Sequence, residues 1–526
     1  MRSRLIPGVL LLAAGAALGW LAPNGGFSAQ GQDKPKAPEI PRHFDDLAGL
    51  KFEEGRPTKE AAQTLRDELL FQRATQTYLW ALPLLNTIGM KAGSQKKFGE
   101  GYNVFPVWKK RLDAKTLITT PNSDVIYAMT FLDLGKDGPI VFEAPPKMQG
   151  ILLDFWQRPI PGPSDDKHSY AGDVGFFGPD EGKGGKFLLL PPGYTGKVPE
   201  GYFVFRSGTN NVFVFLRSFY DDPKDLKPAV DRITETAKIY PLGNDKPKAM
   251  EFPDGSGVAV DMLPLRDGSA FDQLKLLVDG EGPGLAAPDW LGMLASIGIV
   301  KGQKFDPDER TRAILDRAAK VGYKMSRALC FDEKVTGRDL RVYPDRRWVN
   351  PIADGTPKNP GGALDLAWRR KSGGYLDLDL RIWFFTDYYS FSPGMISQVP
   401  GKGAKYMIAF TDGEGGPLSG GADYRLRLPK GVPAANFWSV TVYDAENASG
   451  LDNGQPLPSL GSRDAPVQND DGSTDLFLGP KAPKGKEKNW IATVRGKGYF
   501  AILRLYSPTE AAIEKTWKPG DIEKVK

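Results

Sequence analysis

Apolar and polar positions follow two different periods along this chain of 526 residues. Between Leu70 and Leu85, apolar residues recur at helical spacing, and Thr58 before them suits a helix N-cap. Pro83 lacks a backbone N–H, so we expect the helix to kink or end near Leu82.

Short runs rich in β-branched and aromatic residues begin at Tyr102 and are separated by Gly/Pro turns, which predicts an antiparallel sheet. These runs are 117–119, 126–132, 140–143, 151–156, 187–190, 202–206 and 212–218. A second series of such runs predicts another β module towards the C-terminus: 376–385, 406–411, 424–428, 437–443, 476–478 and 499–506.

A helical stretch separates the two β series. Residues 223–240 form one candidate helix, and Asp306-Pro307-Asp308-Glu309 begins another with a cap, an early proline and acidic residues at the positive end of the helix dipole. The pattern predicts a mainly β protein with α-helices. Its parts are a helix plus β module at 58–220, a helical middle segment at 221–345 and a C-terminal β module at 346–526.

Residues 1–29 have the pattern of an export signal, with two arginines before the apolar segment Leu5–Leu21 and a cleavage site at 27–29. The glycines and the short apolar run favour a cleaved signal over a membrane anchor, the alternative that stays open. Residues 30–57 are polar and Pro-rich and predict a linker. We therefore expect a periplasmic or secreted protein with no membrane span after cleavage.

Composition narrows the class of protein. Charged residues at 25% and hydrophobic residues at 40% are typical of a globular chain. The 61 glycines, 44 prolines and 11% aromatic residues favour strands joined by turns. The formal charge of +5 is small, and no basic patch is interleaved with aromatic residues, so we expect no nucleic-acid partner.

The supply of metal-ligating side chains is small. Cys330 is the one cysteine, and His43 and His168 are the two histidines, which excludes an intramolecular disulfide and a zinc site of His and Cys ligands. An oxygen-ligated calcium or magnesium site stays open. The sequence has no Walker A motif, no G-x-G-x-x-G in a suitable context and no G-x-S-x-G elbow, so we assign no metal ligand and no cofactor.

Two parts of the chain resemble known families. Residues 119–127 (TTPNSDVIY) resemble the TPN-x-D-x-x-Y motif of the domain-of-unknown-function family 1254. Residues 437–439 (FWS), 469–473 (NDDGS) and 504–508 (RLYSP) resemble hallmarks of the partner family 1214. The chain departs from that second family at 491–493 (IAT), where the family usually has Leu-Pro-x-Pro.

The resemblance implies an exported bacterial protein with two β-sandwich-like modules around a helical segment, the second of them jelly-roll-like. It implies no established reaction, because the fold alone does not define one.

The candidate site residues lie in and after the first motif. Asp124 follows Asn122, while Asp154, Trp156 and Arg158 occupy alternate positions and therefore share one face of a strand. An aromatic ring between opposite charges can bind a sugar ring or an anionic group, with Asp124 or Asp154 for acid–base catalysis. The favoured alternative is that Asn122 and Asp124 form a turn and that Asp154 pairs with Arg158.

Two further side chains complete the set. His168, in a polar loop near Asp166, is a candidate general base, although a solvated loop histidine is the favoured interpretation. Arg217 follows an apolar run and is a candidate anchor for a carboxylate, with a salt bridge as the favoured alternative.

Two other features receive a structural interpretation. The stretch 469–475 has oxygen ligands at alternate positions but lacks the final glutamate of a calcium loop, so a turn is favoured. The aromatic run 382–389 is typical of core, and Trp383, Phe385 or Tyr389 can stack on a ring only where they face outward.

These observations predict an exported protein that binds or processes a small molecule or saccharide in a cleft between the β modules. As an enzyme it would be a hydrolase or lyase that uses carboxylates. The alternative is an envelope scaffold or oligomerising interaction protein without catalysis, a homo-oligomer in which aromatic patches form the subunit contacts.

Overall fold

The structure, a computed structural model, describes residues 41–165, 169–282, 284–332, 334–335, 338–350, 369–370, 375–390, 392–396 and 399–525. The described residues fall into two units, divided between Leu65 and Arg66. Within the first unit, helix α1 (Arg42–Ala48) precedes a hairpin of strands β1 (Phe52–Glu53) and β2 (Arg56–Pro57).

Two helices follow one another, α2 (Lys59–Trp80) and α3 (Leu82–Phe98). The backbone N–H of Ala61 donates to the Thr58 hydroxyl at 3.2 Å, so the predicted N-cap is confirmed. Pro83 lies in the first turn of α3, where its missing N–H costs nothing, and the predicted interruption at Leu82 is confirmed as well.

The first β module is a sandwich of two four-stranded sheets, ordered β4–β12–β6–β9 and β11–β10–β5–β13. Side chains of β12 alternate between the two faces of its sheet. Val214 packs into the core between the sheets, whereas Phe215 and Arg217 lie on the opposite face. The elements of this module are β3 (Thr116–Leu117), β4 (Ile126–Asp133), α4 (Leu134–Asp137), β5 (Ile140–Ala144), β6 (Met148–Asp154), β7 (Pro161–Ser164), β8 (Ser169–Ala171), β9 (Asp173–Gly175), β10 (Gly185–Leu190), β11 (Phe203–Arg206), β12 (Asn211–Ser218), α5 (Lys227–Thr234) and β13 (Lys238–Pro241).

The middle of the chain contains strand β14 (Val260–Asp261) and helices α6 (Ser269–Gly280), α7 (Pro288–Ser296) and α8 (Glu309–Cys330). The backbone N–H of Thr311 donates to the Asp308 carboxylate at 2.7 Å, which confirms the predicted start of α8. Cys330 is buried, and burial raises the pKa of its thiol well above the usual value, as expected of an inert core cysteine.

The second β module is also a sandwich of two four-stranded sheets, ordered β19–β25–β21–β22 and β24–β23–β20–β26. Trp348, Leu426, Val440 and Leu503 are among the side chains that fill its core. The elements from the middle segment onward are β15 (Lys334–Val335), β16 (Arg338–Asp339), β17 (Arg369–Arg370), β18 (Tyr375–Leu376), α9 (Leu378–Asp387), α10 (Pro393–Ile396), β19 (Ala404–Ala409), β20 (Tyr424–Leu428), β21 (Ala434–Asp444), β22 (Ser459–Gly461), β23 (Thr474–Gly479), β24 (Trp490–Ala492), β25 (Tyr499–Pro508), α11 (Glu510–Ile513) and β26 (Ile522–Lys524).

The strand predicted at 376–385 is wrong: most of that segment is helix α9. Asp377 caps the helix, since its carboxylate accepts from the backbone N–H of Leu380 at 3.2 Å. From Ile382 to Asp387 every residue is buried, so no polar face marks the helical period and the aromatic residues mimic a strand. Trp383, Phe385 and Tyr389 are buried and do not form an outward stacking surface, and Phe385 lines a cavity next to Arg381.

The predicted layout, with sheet modules at both ends and helices between them, is confirmed. Across the residues that the structure describes, no helix has both the length and the apolar character needed to cross a membrane.

A buried ion pair joins α8 and α9 to the second β module. Arg327 of α8 pairs with Asp387 at the end of α9 and also donates to the carbonyl oxygen of Ala445. The backbone carbonyl of Asp387 in turn accepts from the Thr120 hydroxyl at 2.8 Å. One charged pair therefore connects two helices and both β modules.

Replacing Arg327 with Met should lower the free energy of unfolding by about 3–5 kcal/mol, because the Asp387 carboxylate would stay buried without its partner. Denaturant unfolding measures this loss. Lys320→Met, on the exposed side of the same helix, is the matched control and should cost less than about 1 kcal/mol. Equal losses in the two variants would contradict the role of the buried pair.

Candidate functional site

A tight turn after β6 positions three of the predicted site residues. The backbone N–H of Asp154 donates to the carbonyl oxygen of Arg158 at 2.9 Å, and Gln157 adopts a positive φ of 57° that closes the turn. Gln157 is also tied to the helices: its side-chain amide donates to the Pro83 carbonyl at 3.0 Å and accepts from the Ser390 N–H at 2.6 Å. The turn is therefore held on both sides.

Asp154 and Arg158 form the ion pair that was the favoured interpretation of this segment. Asp154 Oδ2 accepts from Arg158 Nε at 2.8 Å and lies 2.7 Å from Nη2, while Oδ1 accepts from the Arg158 backbone N–H at 2.9 Å. A Cβ at Gly208 would lie 3.0 Å from Arg158 Nη2 and 3.2 Å from Asp154 Oδ2, so glycine leaves room for the pair. Burial raises the pKa of Asp154, and Arg158 opposes that effect.

Three tryptophans from separate segments form an aromatic wall next to this pair. Trp80 and Trp290 stack with ring centroids 4.4 Å apart and an angle of 5° between their planes. Trp156 meets Trp80 edge to face at 4.7 Å, and its indole N–H donates to the Leu285 carbonyl at 2.8 Å. This geometry fixes the rings, as offset-stacked and T-shaped aromatic pairs do.

The wall and the ion pair line a cavity of about 670 Å³, here called the tryptophan–arginine pocket. The pocket lies between the first β module and helices α2, α7 and α9, whereas the sequence predicted a cleft between the two β modules. Its chemically distinctive lining residues are Trp80, Trp156, Trp290, Asp154, Arg158, Arg206 and Arg381.

Arg381 is the unusual member of the pocket. Its Nη1 donates to the Trp80 carbonyl oxygen at 3.0 Å, and its guanidinium carbon lies 5.6 Å from the centre of the Trp156 ring. Within the described part of the chain, no carboxylate lies within ion-pair distance of it. Burial, together with the positive charge of Arg158, lowers the pKa of Arg381 to about 10, well below the usual value for arginine.

The charges that line the pocket do not cancel. Arg158, Arg206 and Arg381 face a single acidic lining residue, Asp154, whose charge is matched by Arg158. Arg206 is exposed at the pocket. The described lining therefore has an excess positive charge beside a flat aromatic wall, which suits an anionic group attached to a ring.

Asp124 lies elsewhere, at the contact between the two β modules. Its Oδ2 accepts from the Ser439 hydroxyl at 2.6 Å, and its Oδ1 lies 3.4 Å from Arg111 Nη2. Arg111 also pairs with Asp464 at 2.6 Å. Burial raises the pKa of Asp124, and the Arg111 charge opposes this shift. Asp124 therefore acts as a joint between the modules and does not line the pocket.

Asn122 and Arg217 are buried near the same contact. The side-chain oxygen of Asn122 accepts from the Asp124 N–H at 2.9 Å, the turn geometry that was the favoured interpretation. Arg217 has no ion pair among the described residues, so the salt bridge favoured for it is not seen there, and its Nε has no hydrogen-bond partner.

The structure thus separates the residues proposed as catalytic. Asp154 lies in the pocket and Asp124 at the module contact, while His168 falls outside the described residues. Among the ligand-binding candidates, Trp156 and Arg158 line the pocket, and Asn122 and Arg217 do not.

Sequence reasoning missed four lining residues: Trp80, Arg206, Trp290 and Arg381. They come from four segments that are distant in sequence, and Arg381 lies in the helix that was predicted as a strand. A single arginine within the apolar run 380–386 was the one local signal, since a charge in a buried segment needs an explanation.

The stretch 469–475 forms the turn that was favoured over a metal site. The backbone N–H of Asn469 donates to the Ser473 carbonyl at 2.8 Å, and Asp471 accepts from the Ser473 N–H at 2.9 Å. In the part of the chain that the structure describes, no cluster of three or more His, Cys, Asp or Glu residues is arranged to hold a metal ion.

Two β-sandwich modules with helices between them define the class of this protein, and family comparison agrees with the motifs. Residues 102–241 match the family described as protein of unknown function DUF1254, and residues 403–510 match protein of unknown function DUF1214. The chain therefore resembles both families, in the order that the motifs predicted. Comparison with curated proteins gave no match.

One solved structure shares the fold. The crystal structure of the VPA0106 protein from Vibrio parahaemolyticus has a TM-score of 0.50 and 18% sequence identity, over 87% of this chain and 100% of that chain. An uncharacterized protein from Burkholderia cenocepacia has a TM-score of 0.39 and 12% identity, over 88% of this chain and 95% of the other. The similarity to the Vibrio protein supports the architecture and says nothing about activity.

Asp173 is a buried carboxyl that the sequence did not single out. Its Oδ1 accepts from the Gln149 amide at 3.1 Å and its Oδ2 from the Gly394 N–H at 3.1 Å, so it connects the first β module to α10. Burial raises the pKa of Asp173 to about 7, although its hydrogen bonds favour the charged form and oppose this shift. As pH rises, the Asp173 carboxyl therefore loses its proton at a lower pH in the unfolded chain than in the native state.

This raised pKa predicts how stability depends on pH. Between about pH 4 and pH 7 the folded state holds more protons than the unfolded state, so Asp173 should make the protein less stable as pH rises, by about 1.4 kcal/mol per unit of pKa displacement. Asp173→Asn should gain stability over the wild type across that window and reach a plateau above pH 7. Denaturant unfolding at several pH values measures the difference. The exposed Asp221→Asn is the control, and a pH-independent difference for Asp173→Asn would contradict the assignment.

Proposed function

We propose that this protein binds a small organic acid that carries a ring, with the ring against the tryptophan wall and the acid group on Arg381. The observation that carries the proposal is the Arg381 guanidinium, which lies in a 670 Å³ cavity with no carboxylate partner among the described residues. Aromatic carboxylates and sugar acids both have this chemistry.

A charged side chain that is withdrawn from water without a partner costs free energy. A guanidinium that loses water needs hydrogen-bond acceptors, and the Trp80 carbonyl supplies only one for Arg381. A bound carboxylate would supply two more in the bidentate geometry that arginine favours. The cavity also falls within the about 300–1,000 Å³ typical of small-molecule sites.

Binding is supported better than acid–base catalysis by the predicted carboxylates. Both oxygens of Asp154 accept hydrogen bonds from Arg158, and Asp124 lies outside the pocket. These two residues therefore do not supply the pair of facing carboxylates that glycoside hydrolysis uses. A scaffold held together by the aromatic run has less support, because Trp383, Phe385 and Tyr389 are buried within the chain.

Arg381→Gln tests the proposal. Glucuronate and benzoate, each paired with its neutral counterpart glucose or benzyl alcohol, form the ligand panel for calorimetric titration. We expect at least one acid to bind the wild type better than its neutral counterpart. Arg381→Gln should lose about tenfold or more of that affinity, as expected when one charged hydrogen-bond partner is removed, and should bind acid and neutral ligand alike.

Two variants control for other effects. Arg425→Gln removes an exposed arginine that pairs with Glu523 on the second module, and it should leave affinity unchanged. Trp290→Ala should weaken the acid and its neutral counterpart together, because it removes the stacking surface and leaves the charge. If Arg381→Gln keeps the preference of the wild type for the acid, the proposal is wrong.

We also propose that the ligand is met outside the cytoplasm, after removal of residues 1–29. The support is the arginine-led apolar pattern of the first 21 residues. The intact mass of the protein purified from its own cells should correspond to a chain that starts after Ala29. A chain that still begins at Met1 and sediments with membranes would favour the anchor instead.

A further inference from the structure

A second polar site lies at the contact between the two β modules, built from one row of side chains on each. In the first module, Arg217 of β12 is in register with Tyr127 of β4 and Gln149 of β6. In the second module, Arg504 of β25 is in register with Tyr406 of β19 and Ser439 of β21. Residues directly opposite each other share a sheet face, so each row presents one arginine between two polar side chains.

The two rows face each other. Both guanidinium groups interact electrostatically with the same two tyrosines, Tyr127 and Tyr506. The guanidinium carbon of Arg504 lies 5.9 Å from the centre of the Tyr406 ring. The intermodule site, defined here as Arg217, Arg504, Tyr388, Tyr406 and Tyr506, is therefore one cluster to which both modules contribute.

Arg504 Nη1 donates to the Tyr443 hydroxyl at 2.6 Å and Nη2 to the Thr120 carbonyl at 2.9 Å. Other polar atoms of the cluster lack partners in the described part of the chain. Arg217 Nε, Arg504 Nε, Tyr388 Oη and Tyr506 Oη are buried and have no partner among the described residues. Each of these four side chains is at most 8% exposed. A buried polar atom without a partner costs about 1–3 kcal/mol, so four in one place call for a ligand, an ion or ordered water.

Protonation keeps the cluster rich in donors. Burial raises the pKa of Tyr388 and of Tyr506 well above the usual value, so both phenols stay neutral and retain their O–H at neutral pH. The guanidinium groups keep their charge. The site thus presents positive charge and O–H or N–H donors to any group between the modules.

The neighbouring carboxyl groups are engaged elsewhere. Asp124 accepts from Ser439 and pairs with Arg111, and Asp173 accepts from Gln149 and from the backbone of Gly394. No described carboxylate lies within ion-pair distance of Arg217 or Arg504. The positive charge of the two rows is therefore balanced at a distance and not by direct contact.

There is room beside these side chains. Arg217 and Gln149 are each 8% exposed and Tyr406 is 6% exposed, whereas Leu216 and Ser218 next to Arg217 are fully buried. A small space therefore adjoins the Arg217 row.

We propose that the intermodule site binds a carboxylate group between Arg217 and Arg504, with the hydroxyls of Tyr506 and Tyr388 as further donors. The Arg217 guanidinium, the Nε–H of Arg504 and two phenols supply the donors that the two oxygens of one carboxylate accept. The anion would stabilise the contact between the modules, since it binds only where both rows are in place. This site is separate from the pocket of the proposed function.

The test uses the full-length purified protein and free acetate as the probe. Thermal unfolding is followed while sodium acetate replaces sodium chloride at constant ionic strength. Unfolding equilibrates the site with the solution even if the native site exchanges slowly, so a ligand of the folded state raises the Tm. We expect the Tm of the wild type to rise with acetate concentration.

Tyr506→Phe removes one unpartnered hydroxyl and keeps the ring. Without acetate it should be as stable as the wild type or more so, because it removes an unsatisfied buried group. The acetate concentration that gives half of the stabilisation should rise about tenfold, as expected for one lost hydrogen bond to a charged group. A purely structural tyrosine would not shift this concentration.

Two controls separate the alternatives. Tyr499 also has a buried hydroxyl without a partner, but it lies in the core of the second sandwich, so Tyr499→Phe should respond to acetate as the wild type does. Arg381→Gln removes the carboxylate partner in the tryptophan–arginine pocket, so a response that disappears in this variant would place acetate in the pocket and overturn the proposal. The proposal is overturned if acetate does not raise the Tm of the wild type, or if Tyr506→Phe and Tyr499→Phe respond alike.

Discussion

A buried guanidinium group cannot release its proton at any ordinary pH, and this constraint organises the interior of the larger unit. Arg111 forms an ion pair with Asp464, and Arg327 forms one with Asp387. Each pair connects segments that are distant in sequence. Arg381 instead donates to a carbonyl oxygen and lies against the face of an indole. The first solution builds the fold, and the second leaves a charge available to a ligand.

Arg381 lies away from Arg111 and Arg327. Paired arginines lie where the β modules and helices meet, and breaking such a pair leaves an uncompensated charge in the interior. The unpaired Arg381 lies beside a wall of three tryptophans whose mutual contacts hold their rings still. A preorganised aromatic surface next to an unmatched cation favours binding, because little conformational entropy remains to be lost when the ligand arrives.

Much of the architecture was accessible from local patterns, and the site was not. Thr58, Pro83 and Asp308 act on their own neighbours, so their effects on helix ends could be predicted from the sequence. The same holds for Asp154 and Arg158, four residues apart in one turn. Trp80, Arg206, Trp290 and Arg381 converge only through the packing of four distant segments. Helix α9 was predicted as a strand because burial on all sides removes the polar face that reveals a helical period.

The function of the tryptophan–arginine pocket depends most on which acceptors bind the Arg381 guanidinium. A crystal structure of the protein with a bound ring carboxylate tests this directly. We expect the ring to lie against Trp290 or Trp156 and both carboxylate oxygens to lie within hydrogen-bond distance of the Arg381 guanidinium. A structure in which a carboxylate of the chain itself occupies that position, with the ligand elsewhere, would contradict it.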